Sequence, residues 1–500
     1  HSLYVGTGLR LTGRTGVSVR GLSLSGFNMG IHLENCCDIV LENCDVSDCF
    51  HDPGWGWDDH GEHGGILMVS SSGCTVSRCR ANRVWDALHL RHSDNNLVEH
   101  NDFSHTSNTG LKMWHSSANQ IISNNFSWGL RISPGEVHAR DSACVLVESG
   151  SHDNVFKRND MTHGGDGFFI RVLNGWMSTG NLMEENDCSY ANNNGFEAWA
   201  DHNTYIRNKA NHCSYGFWLG NSNHTVLLEN EAAFNGREFC NAPEDFGNAG
   251  IVFVNGSCSH SIIKGNHVHD NAGPGIVLRH SEQTPSLHVL IEGNRLENNQ
   301  TKGNFTGHGI YLKHARMVYL RNNVFSGNDG ADVHLDDNVD EIYRLGGKCL
   351  PGLPEPLRCS LEPGYLIAGQ PVRFKVEAGL EDECAWDFGD GTSAVGHAVE
   401  HCYVQGGMFP LSVTCFGAQG LRLGGQVVHV LPEGFKPYPV ERADNPSGDM
   451  VSQPGIYGLN APHATWGRGT RRVLALHGSE AVTPPRGSWL VMQLQYQGDQ

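Results

Sequence analysis

An asparagine recurs along this chain at intervals of 22 to 36 residues, and each is followed two residues later by an apolar or small residue. These asparagines are Asn101, Asn124, Asn159, Asn186, Asn208, Asn230, Asn266, Asn294 and Asn322. A base period near 22 residues with insertions predicts one coil of a solenoid per repeat. Stacked asparagines satisfy backbone groups that a buried turn leaves unpaired. Cys44 and Cys79 occupy the same position in the earlier coils.

A second mark follows about ten residues after each asparagine. It is a Gly or Ala followed by alternating side chains, as in ALHLR (87–91), GLKMW (110–114) and GFEAW (195–199). Strand side chains alternate, so the first and third residues after the small one are predicted to point inward and the second and fourth outward. Counting in the same way from Ala143 places Val145 and Val147 outward.

These marks predict an all-β fold with roughly a dozen coils over residues 1–345. Leucine-rich repeats have a similar period, but their Leu-Asn signature and their helices are missing here. The pattern resembles the pectin-lyase-like family of right-handed parallel β-helix proteins across this whole region. That resemblance implies a fold much more strongly than it implies a function.

The rest of the chain carries different signals. Residues 346–357 are rich in Pro and Gly and are predicted to form a linker, with Cys349 and Cys359 as a candidate disulfide across it. The WDFGDG stretch at 386–391 resembles a polycystic-kidney-disease-type domain, which implies a C-terminal β-sandwich over 358–432. Residues 433–500 have strand-like segments but no motif, and they would begin a further β domain.

Composition limits the partners of the chain. A formal net charge of -19 argues against nucleic acid, whose phosphates require a concentrated basic surface. No apolar run is long enough to span a bilayer. Sixteen cysteines favour an oxidising compartment and disulfides of unassigned pairing. We therefore expect a secreted, periplasmic or cell-surface protein.

The outward positions between residues 86 and 218 combine cations, tryptophans and a carboxylate. Neighbouring coils lie about 4.8 Å apart, so residues in one outward column are close neighbours. Such a face is suited to stacking on sugar rings and binding carboxylate or sulfate, which predicts an acidic polysaccharide as partner. An isolated outward cation is more often a solvated charge, and His89 would pack equally well on its column. The residues are His89, Arg91, Lys112, Trp114, Arg171, Glu197, Trp199 and Trp218.

Three insertions precede strands of this face and are predicted to form one side of a groove along it. They lie at residues 50–64, 128–142 and 235–249. The first two add candidate substrate-binding residues. The acidic and histidine side chains of the first insertion also suggest a metal site, with Ca²⁺ as the candidate cofactor, although their spacing matches no standard pattern. The residues added are Trp57, Asp59, His63, Arg140 and Asp141.

Two reactions fit these residues. In β-elimination, Arg91 or Arg171 neutralises a uronate carboxylate while Lys112 or His89 removes the C5 proton. In glycosidic hydrolysis two carboxylates flank the bond, with Glu197 and Asp166 among the candidates. Asp166 lies in a glycine-rich HGGDG turn (163–167), where capping the backbone is favoured over a catalytic role.

Other functions stay open. The family that the chain resembles includes polysaccharide lyases, hydrolases and epimerases, but their diagnostic motifs are missing, and an epimerase is the least favoured of the three. A protein from another class, a non-catalytic carbohydrate-binding or cell-surface β-helix, fits the same face. In that case replacing Lys112, Arg91 or Glu197 would weaken binding without abolishing any turnover.

Overall fold

The protein is built from strands and turns, and no helix occurs among the residues that the structure describes. The computed structural model describes residues 4–53, 62–130, 142–172, 177–256, 258–282, 284–347, 351–352, 357–362, 366–417, 420–434, 440–443 and 473–476. The chain forms two compact units. The first covers residues 1–173 and 177–349, and the second includes residues 350–500.

Thirty strands lie in the described residues of the first unit. They are β1 (Thr7–Thr12), β2 (Ser18–Arg20), β3 (Met29–Glu34), β4 (Val40–Glu42), β5 (Gly64–Val69), β6 (Thr75–Ser77), β7 (Asp86–Arg91), β8 (Leu97–Glu99), β9 (Thr109–Trp114), β10 (Gln120–Ile122), β11 (Ala143–Glu148), β12 (Val155–Lys157), β13 (Asp166–Arg171), β14 (Leu182–Glu184), β15 (Asn194–Ala198), β16 (Thr204–Ile206), β17 (Tyr215–Gly220), β18 (Val226–Leu228), β19 (Glu231–Ala233), β20 (Ile251–Val254), β21 (Ile262–Lys264), β22 (His267–His269), β23 (Ile276–Arg279), β24 (Ser286–Glu292), β25 (Arg295–Glu297), β26 (Ile310–Lys313), β27 (Ala315–Arg321), β28 (Val324–Ser326), β29 (Val333–Leu335) and β30 (Asp340–Leu345).

These strands wind into a parallel β-helix. One 13-stranded sheet, here called the front sheet, runs β1-β3-β5-β7-β9-β11-β13-β15-β17-β20-β23-β26-β29, and a second 13-stranded sheet runs from β2 to β30. A 4-stranded sheet of β19, β22, β25 and β28 adds a third side to the later coils. Every strand pair in these sheets is parallel, as in β7 with β9. The prediction of about a dozen coils is confirmed.

The asparagine column is a continuous hydrogen-bonded ladder. The Oδ1 atom of Asn186 accepts from the backbone N of Asn159 at 3.0 Å, and its Nδ2 donates to the carbonyl oxygen of Phe156 at 2.9 Å. Cys79 holds the same position, with its backbone N donating to Asn101. At the far end the ladder uses Asn323, which accepts from Asn294, so the predicted Asn322 was wrong by one residue.

Front strands carry a small residue near their start because a larger side chain there would clash with the segment that follows the ladder asparagine. A Cβ on Gly167 would lie 2.5 Å from the Cβ of Cys188. In β11 this position belongs to Cys144, because Ala143 pairs with Asp166 at the strand start. The outward residues of β11 are therefore Leu146 and Glu148. The predicted outward Val145 and Val147 were wrong, since both lie in the core.

The described part of the second unit has two packed sheets and one further pair of antiparallel strands. A 3-stranded sheet runs β31-β33-β36, a 5-stranded sheet runs β32-β38-β37-β34-β35, and β39 pairs with β40. The predicted β-sandwich is confirmed. The strands are β31 (Cys359–Glu362), β32 (Leu366–Ile367), β33 (Val372–Val376), β34 (Glu383–Asp387), β35 (Ser393–Val395), β36 (Ala398–His401), β37 (Gly407–Gly417), β38 (Gly420–Leu431), β39 (Val440–Ala443) and β40 (Val473–Leu476).

The sandwich holds the disulfide between Cys384 and Cys415, which joins neighbouring strands β34 and β37. The other described cysteines are free, and most of them fill core positions of the β-helix. Cys349, half of the disulfide suggested across the linker, lies outside the described residues. In the WDFGDG stretch, Trp386 is buried and donates from Nε1 to the carbonyl oxygen of Gly396 at 2.8 Å, so this motif forms part of the sandwich core.

Buried His280 makes the stability of the β-helix depend on pH. Its Nδ1 faces the carbonyl oxygen of Gly256 at 2.6 Å and its Nε2 faces Ser286 Oγ at 2.7 Å. Burial lowers the pKa of His280 from 6.5 to about 4; the hydrogen bond to the Gly256 carbonyl opposes this shift, and the Arg279 and His314 charges contribute to it. The folded protein therefore holds this imidazole neutral, whereas the unfolded chain takes up a proton below about pH 6.5.

We expect His280 to remove about 2 kcal/mol of unfolding free energy as the pH falls from 7 to 4.5. Denaturant unfolding at pH 7 and pH 4.5 measures this. The variant His280→Gln, which keeps an N–H donor but takes up no proton, should lose less stability over that range than the wild type. An equal loss in both proteins would contradict the assignment.

Candidate functional site

Three ionisable side chains meet on the outward face of neighbouring front strands β7 and β9. His89 pairs with Lys112 in the sheet register, and Asp86 at the start of β7 pairs with Thr109. All three ionisable residues are buried. The cluster lies between β5 and β11 in the sheet, and residues 54–61 and 131–141 of the two long insertions immediately precede those two strands in sequence.

Asp86 anchors the cluster. Its Oδ1 accepts from Asn108 Nδ2 at 2.6 Å, from Thr109 Oγ1 at 2.7 Å and from the backbone N of Thr109 at 3.2 Å. Burial raises the pKa of Asp86, while the Lys112 ammonium and these hydrogen bonds oppose the rise. The carboxyl group is thereby fixed in place beside Lys112.

His89 is a neutral base held in this cluster. Burial keeps the pKa of His89 well below its usual range, and the Lys112 and Arg91 charges lower it further. Its Nε2 has no hydrogen-bond partner in the part of the chain that the structure describes. His32 lies two coils away in the same column and has a similar environment, since burial also lowers its pKa and its Nε2 also lacks a described partner.

The two predicted arginines of the face have carboxylate partners. Arg91 NH1 lies 3.2 Å from Glu62 Oε1, and both side chains are about half exposed. Arg171 forms an ion pair with Glu148, a buried residue in the neighbouring strand β11. Trp114 pairs with Arg91 in the register and makes an edge contact with His115. Arg91 is therefore the more accessible of the two guanidinium groups.

A second polar group lies further along the same face. Asn194 at the start of β15 donates its backbone N to Asp166 Oδ1 at 2.9 Å and its Nδ2 to Glu197 Oε2 at 2.6 Å. Trp199 Nε1 donates to Glu197 Oε1 at 2.7 Å, and Trp218 stands next to Glu197 in the register. These contacts bring two of the predicted carboxylates to one residue, Asp166 to the backbone N–H of Asn194 and Glu197 to its side-chain amide.

The two groups are separated by an apolar patch. The outward column runs from Lys112 through Leu146 and Phe169 to Glu197. Three coil steps of about 4.8 Å place Glu197 about 14 Å from Lys112. Leu146 and Phe169 are buried and pack with Trp199. The face therefore has a cationic end and an acceptor-rich end with an apolar floor between them.

Several predicted site residues cannot be placed. Trp57, Asp59, Arg140 and Asp141 lie outside the described residues. His63 stacks on Phe50 with ring centroids 4.5 Å apart and contacts Asn28 Oδ1 at 2.8 Å. Among the described residues, no group of three His, Cys, Asp or Glu side chains is arranged to hold a metal ion.

Sequence reasoning missed Asp86, Asn194 and Glu148. Asp86 and Asn194 both directly precede the small residue of a front strand, as Asp166 does, so this position carried a usable signal. Glu148 was missed because the register of β11 was counted from Ala143 instead of Cys144.

The cluster on β7 and β9 has the components for removing a proton next to a carboxylate. A neutral imidazole with an unoccupied nitrogen accepts a proton, and an adjacent ammonium stabilises the negative charge that develops. At an effective dielectric constant of 20, a carboxylate about 5 Å from Lys112 gains about 3 kcal/mol.

Solved structures with similar folds include a periplasmic alginate epimerase, with 11% identity, a TM-score of 0.42 and coverage of 62% of this chain and 73% of that chain. DFA-IIIase from Arthrobacter chlorophenolicus A6 has 14% identity, a TM-score of 0.34 and coverage of 63% and 71%. The A-module of a mannuronan C-5 epimerase from Azotobacter vinelandii has 11% identity, a TM-score of 0.30 and coverage of 69% and 80%. These identities and TM-scores assign no activity to the chain.

No curated protein sequence matches the chain. Within the described ranges, no helix has the length and apolar character needed to cross a membrane. Residues 357–428 match the model of the PKD domain. Residues 5–127, 136–303 and 244–343 match the model described as right-handed beta helix region. These matches cover more than half of the 500 residues, and the chain therefore belongs to the right-handed β-helix family.

Proposed function

We propose that this protein is a secreted enzyme that cleaves an acidic polysaccharide by β-elimination at the β7 and β9 cluster. The observation that carries the proposal is the pairing of neutral His89 with Lys112 on adjacent strands, with Asp86 beside them. Elimination from a uronate needs a base at C5 and a positive charge at the carboxylate, and this cluster contains both.

Each residue of the cluster has its own role in the proposed elimination. His89 Nε2 accepts the C5 proton, because the imidazole is neutral and this nitrogen lacks a partner among the described residues. The electron pair of the C5–H bond forms the C4–C5 double bond as the C4–O glycosidic bond breaks, and the departing oxygen takes up a proton from solvent. Lys112 binds the uronate carboxylate and stabilises the charge that develops on it. Asp86 positions the lysine, and Arg91 extends the cationic surface toward solvent.

Secretion is proposed from the second unit. Its Cys384–Cys415 disulfide requires an oxidising compartment, since disulfides are rare in the cytosol. The free cysteines of the β-helix lend no further support, because most of them are buried core residues.

Hydrolysis is the second candidate. Asp166 and Glu197 belong to adjacent strands and both accept a hydrogen bond from Asn194, which holds two carboxylates near one another. A glycosidase needs such a pair, one as acid and the other as base or nucleophile. This alternative places the chemistry at the other end of the face.

The test is incubation of the purified protein with alginate, pectate, hyaluronan, chondroitin, sulfated galactans and neutral glycans. New reducing ends and the ultraviolet absorbance of unsaturated uronate are recorded together. Elimination predicts both signals in equal amounts. Reducing ends without absorbance would overturn the lyase in favour of the hydrolase, and no change in any polymer would favour the carbohydrate-binding alternative.

A further inference from the structure

Cysteine occupies two consecutive positions of the asparagine ladder. Asp45 pairs with Arg80 in the neighbouring coil. The residues directly before them are Cys44 and Cys79, which therefore lie opposite each other. From Asn101 onward the same position is held by asparagine. Both thiols are buried in the core, and both are free in the structure.

The Cys79 thiol stands where an asparagine amide stands in the later coils. There, a backbone N–H donates to the amide oxygen of the next coil, as that of Cys79 does to Asn101 Oδ1 at 2.8 Å. Next to Cys44 that position is taken by the sulfur of Cys79, which hydrogen bonds with both the thiol and the backbone of Cys44. This contact between the thiols lowers the pKa of Cys44 and raises the pKa of Cys79. Cys44 therefore becomes a thiolate more readily than Cys79 does.

The spacing of the two residues suits a disulfide. Neighbouring strands of a sheet lie about 4.8 Å apart, and a disulfide joins Cα atoms that are about 4.4–6.8 Å apart. Cys74 holds a similar position in a second column, but it lies opposite Ile39 on one side and Asn96 on the other. Stacking of the coils thus brings Cys44 to another thiol, whereas Cys74 packs between an aliphatic side chain and an amide.

We propose that Cys44 and Cys79 form a disulfide when the protein folds in the oxidising compartment inferred above. The oxidant is a small-molecule disulfide such as that of glutathione. The Cys44 thiolate attacks it and expels one thiol, and the Cys79 thiolate then attacks the Cys44 sulfur and expels the second. The two protons of the cysteines pass to the two thiols released. Because both cysteines are buried in the folded chain, the exchange takes place before their coils have packed.

The bond joins the two sides of the first insertion. Residues 50–64 lie between Cys44 and Cys79 in sequence, and β5, which follows them, is paired with β7, the strand of His89. A crosslink across a long loop stabilises the folded state mainly by restricting the unfolded chain. The disulfide therefore stabilises the coils next to the proposed base, and its formation does not depend on the proposed elimination.

The first test is oxidative refolding of the full chain. The reduced, unfolded protein is refolded with a mixture of reduced and oxidised glutathione, its free thiols are alkylated under denaturing conditions, and its peptides are mapped by mass spectrometry. We expect the Cys44 and Cys79 peptides to be linked, lighter than their sum by two hydrogen atoms, and separated by reductant, while Cys74 is alkylated. Alkylation of Cys44 and Cys79 to the same extent as Cys74, or linkage of either to another cysteine, would overturn the proposal.

The second test measures what the bond contributes to stability. Cys79→Asn removes the disulfide and restores the ladder residue of the later coils. Reductant should lower the melting temperature of the β-helix by about 5 °C in the wild type and leave it unchanged in Cys79→Asn. The Cys384–Cys415 disulfide is present in both proteins, so its reduction affects them equally. An equal fall in both proteins would overturn the stabilising role given to Cys44 and Cys79.

Discussion

Replacing His89 with glutamine is expected to lower kcat for the formation of unsaturated uronate by about 100- to 10,000-fold, the usual contribution of a positioned general base. Glutamine has a similar size and keeps polar atoms, but it accepts no proton at neutral pH. Because we propose that Lys112 and not His89 binds the substrate carboxylate, KM should change only a few-fold. Initial rates of ultraviolet absorbance over a range of polymer concentrations separate the two constants.

The chain contains a matched control for this change. His32 lies in the same outward column and is buried, its pKa is also lowered, and its Nε2 also lacks a described partner. Its strand β3 lies between β1 and β5, however, so His32 is not next to β9 and Lys112. His32→Gln should therefore retain turnover close to that of the wild type. Equal losses in the two variants would point to a general structural effect and would contradict the role of His89 as the base.

Replacing Asn186 with alanine is expected to lower the unfolding free energy by about 3–6 kcal/mol, since several buried groups each lose a partner at about 1–3 kcal/mol. The Asn186 amide serves the backbone N and side chain of Asn159, the carbonyl oxygen of Phe156 and Oδ1 of Asn208. Thermal and denaturant unfolding, followed by circular dichroism, measure the loss.

The control for this change is Asn192→Ala. Asn192 is only half-buried, and its side chain makes no hydrogen bond within the described ranges, so the expected change is within about 0.5 kcal/mol. If Asn186→Ala were as stable as Asn192→Ala, the ladder would not be a main source of stability in the helix.

The fold was predictable because its causes are local and repeated. Each coil needs a hydrogen-bond acceptor and a donor at the ladder turn, and asparagine provides both. Each coil also needs a small residue where a Cβ would clash with the neighbouring turn, as at Gly167. The predicted register was wrong where a residue of the same type, or of similar size, directly precedes the true repeat position. Ala143 precedes the true small position at Cys144, and Asn322 precedes the ladder residue Asn323.

The candidate site was predictable only in part. Outward positions follow from strand alternation, so His89, Lys112 and Glu197 could be placed on one face. Glu197 is held by Asn194 and Trp199 from its own stretch of sequence, but other contacts of the face join strands at long sequence separation. The ion pair of Arg171 with Glu148 and the contact of Asn194 with Asp166 depend on a register that the sequence pattern does not specify.

The most direct test of the proposed chemistry is the single-turnover rate on a uronate polymer that carries deuterium in place of hydrogen at C5. Our account predicts that unsaturated ends form several-fold more slowly from the deuterated polymer, because breaking the C5–H bond is the step in which His89 acts. Equal rates for the two isotopes, together with full activity of His89→Gln, would contradict it.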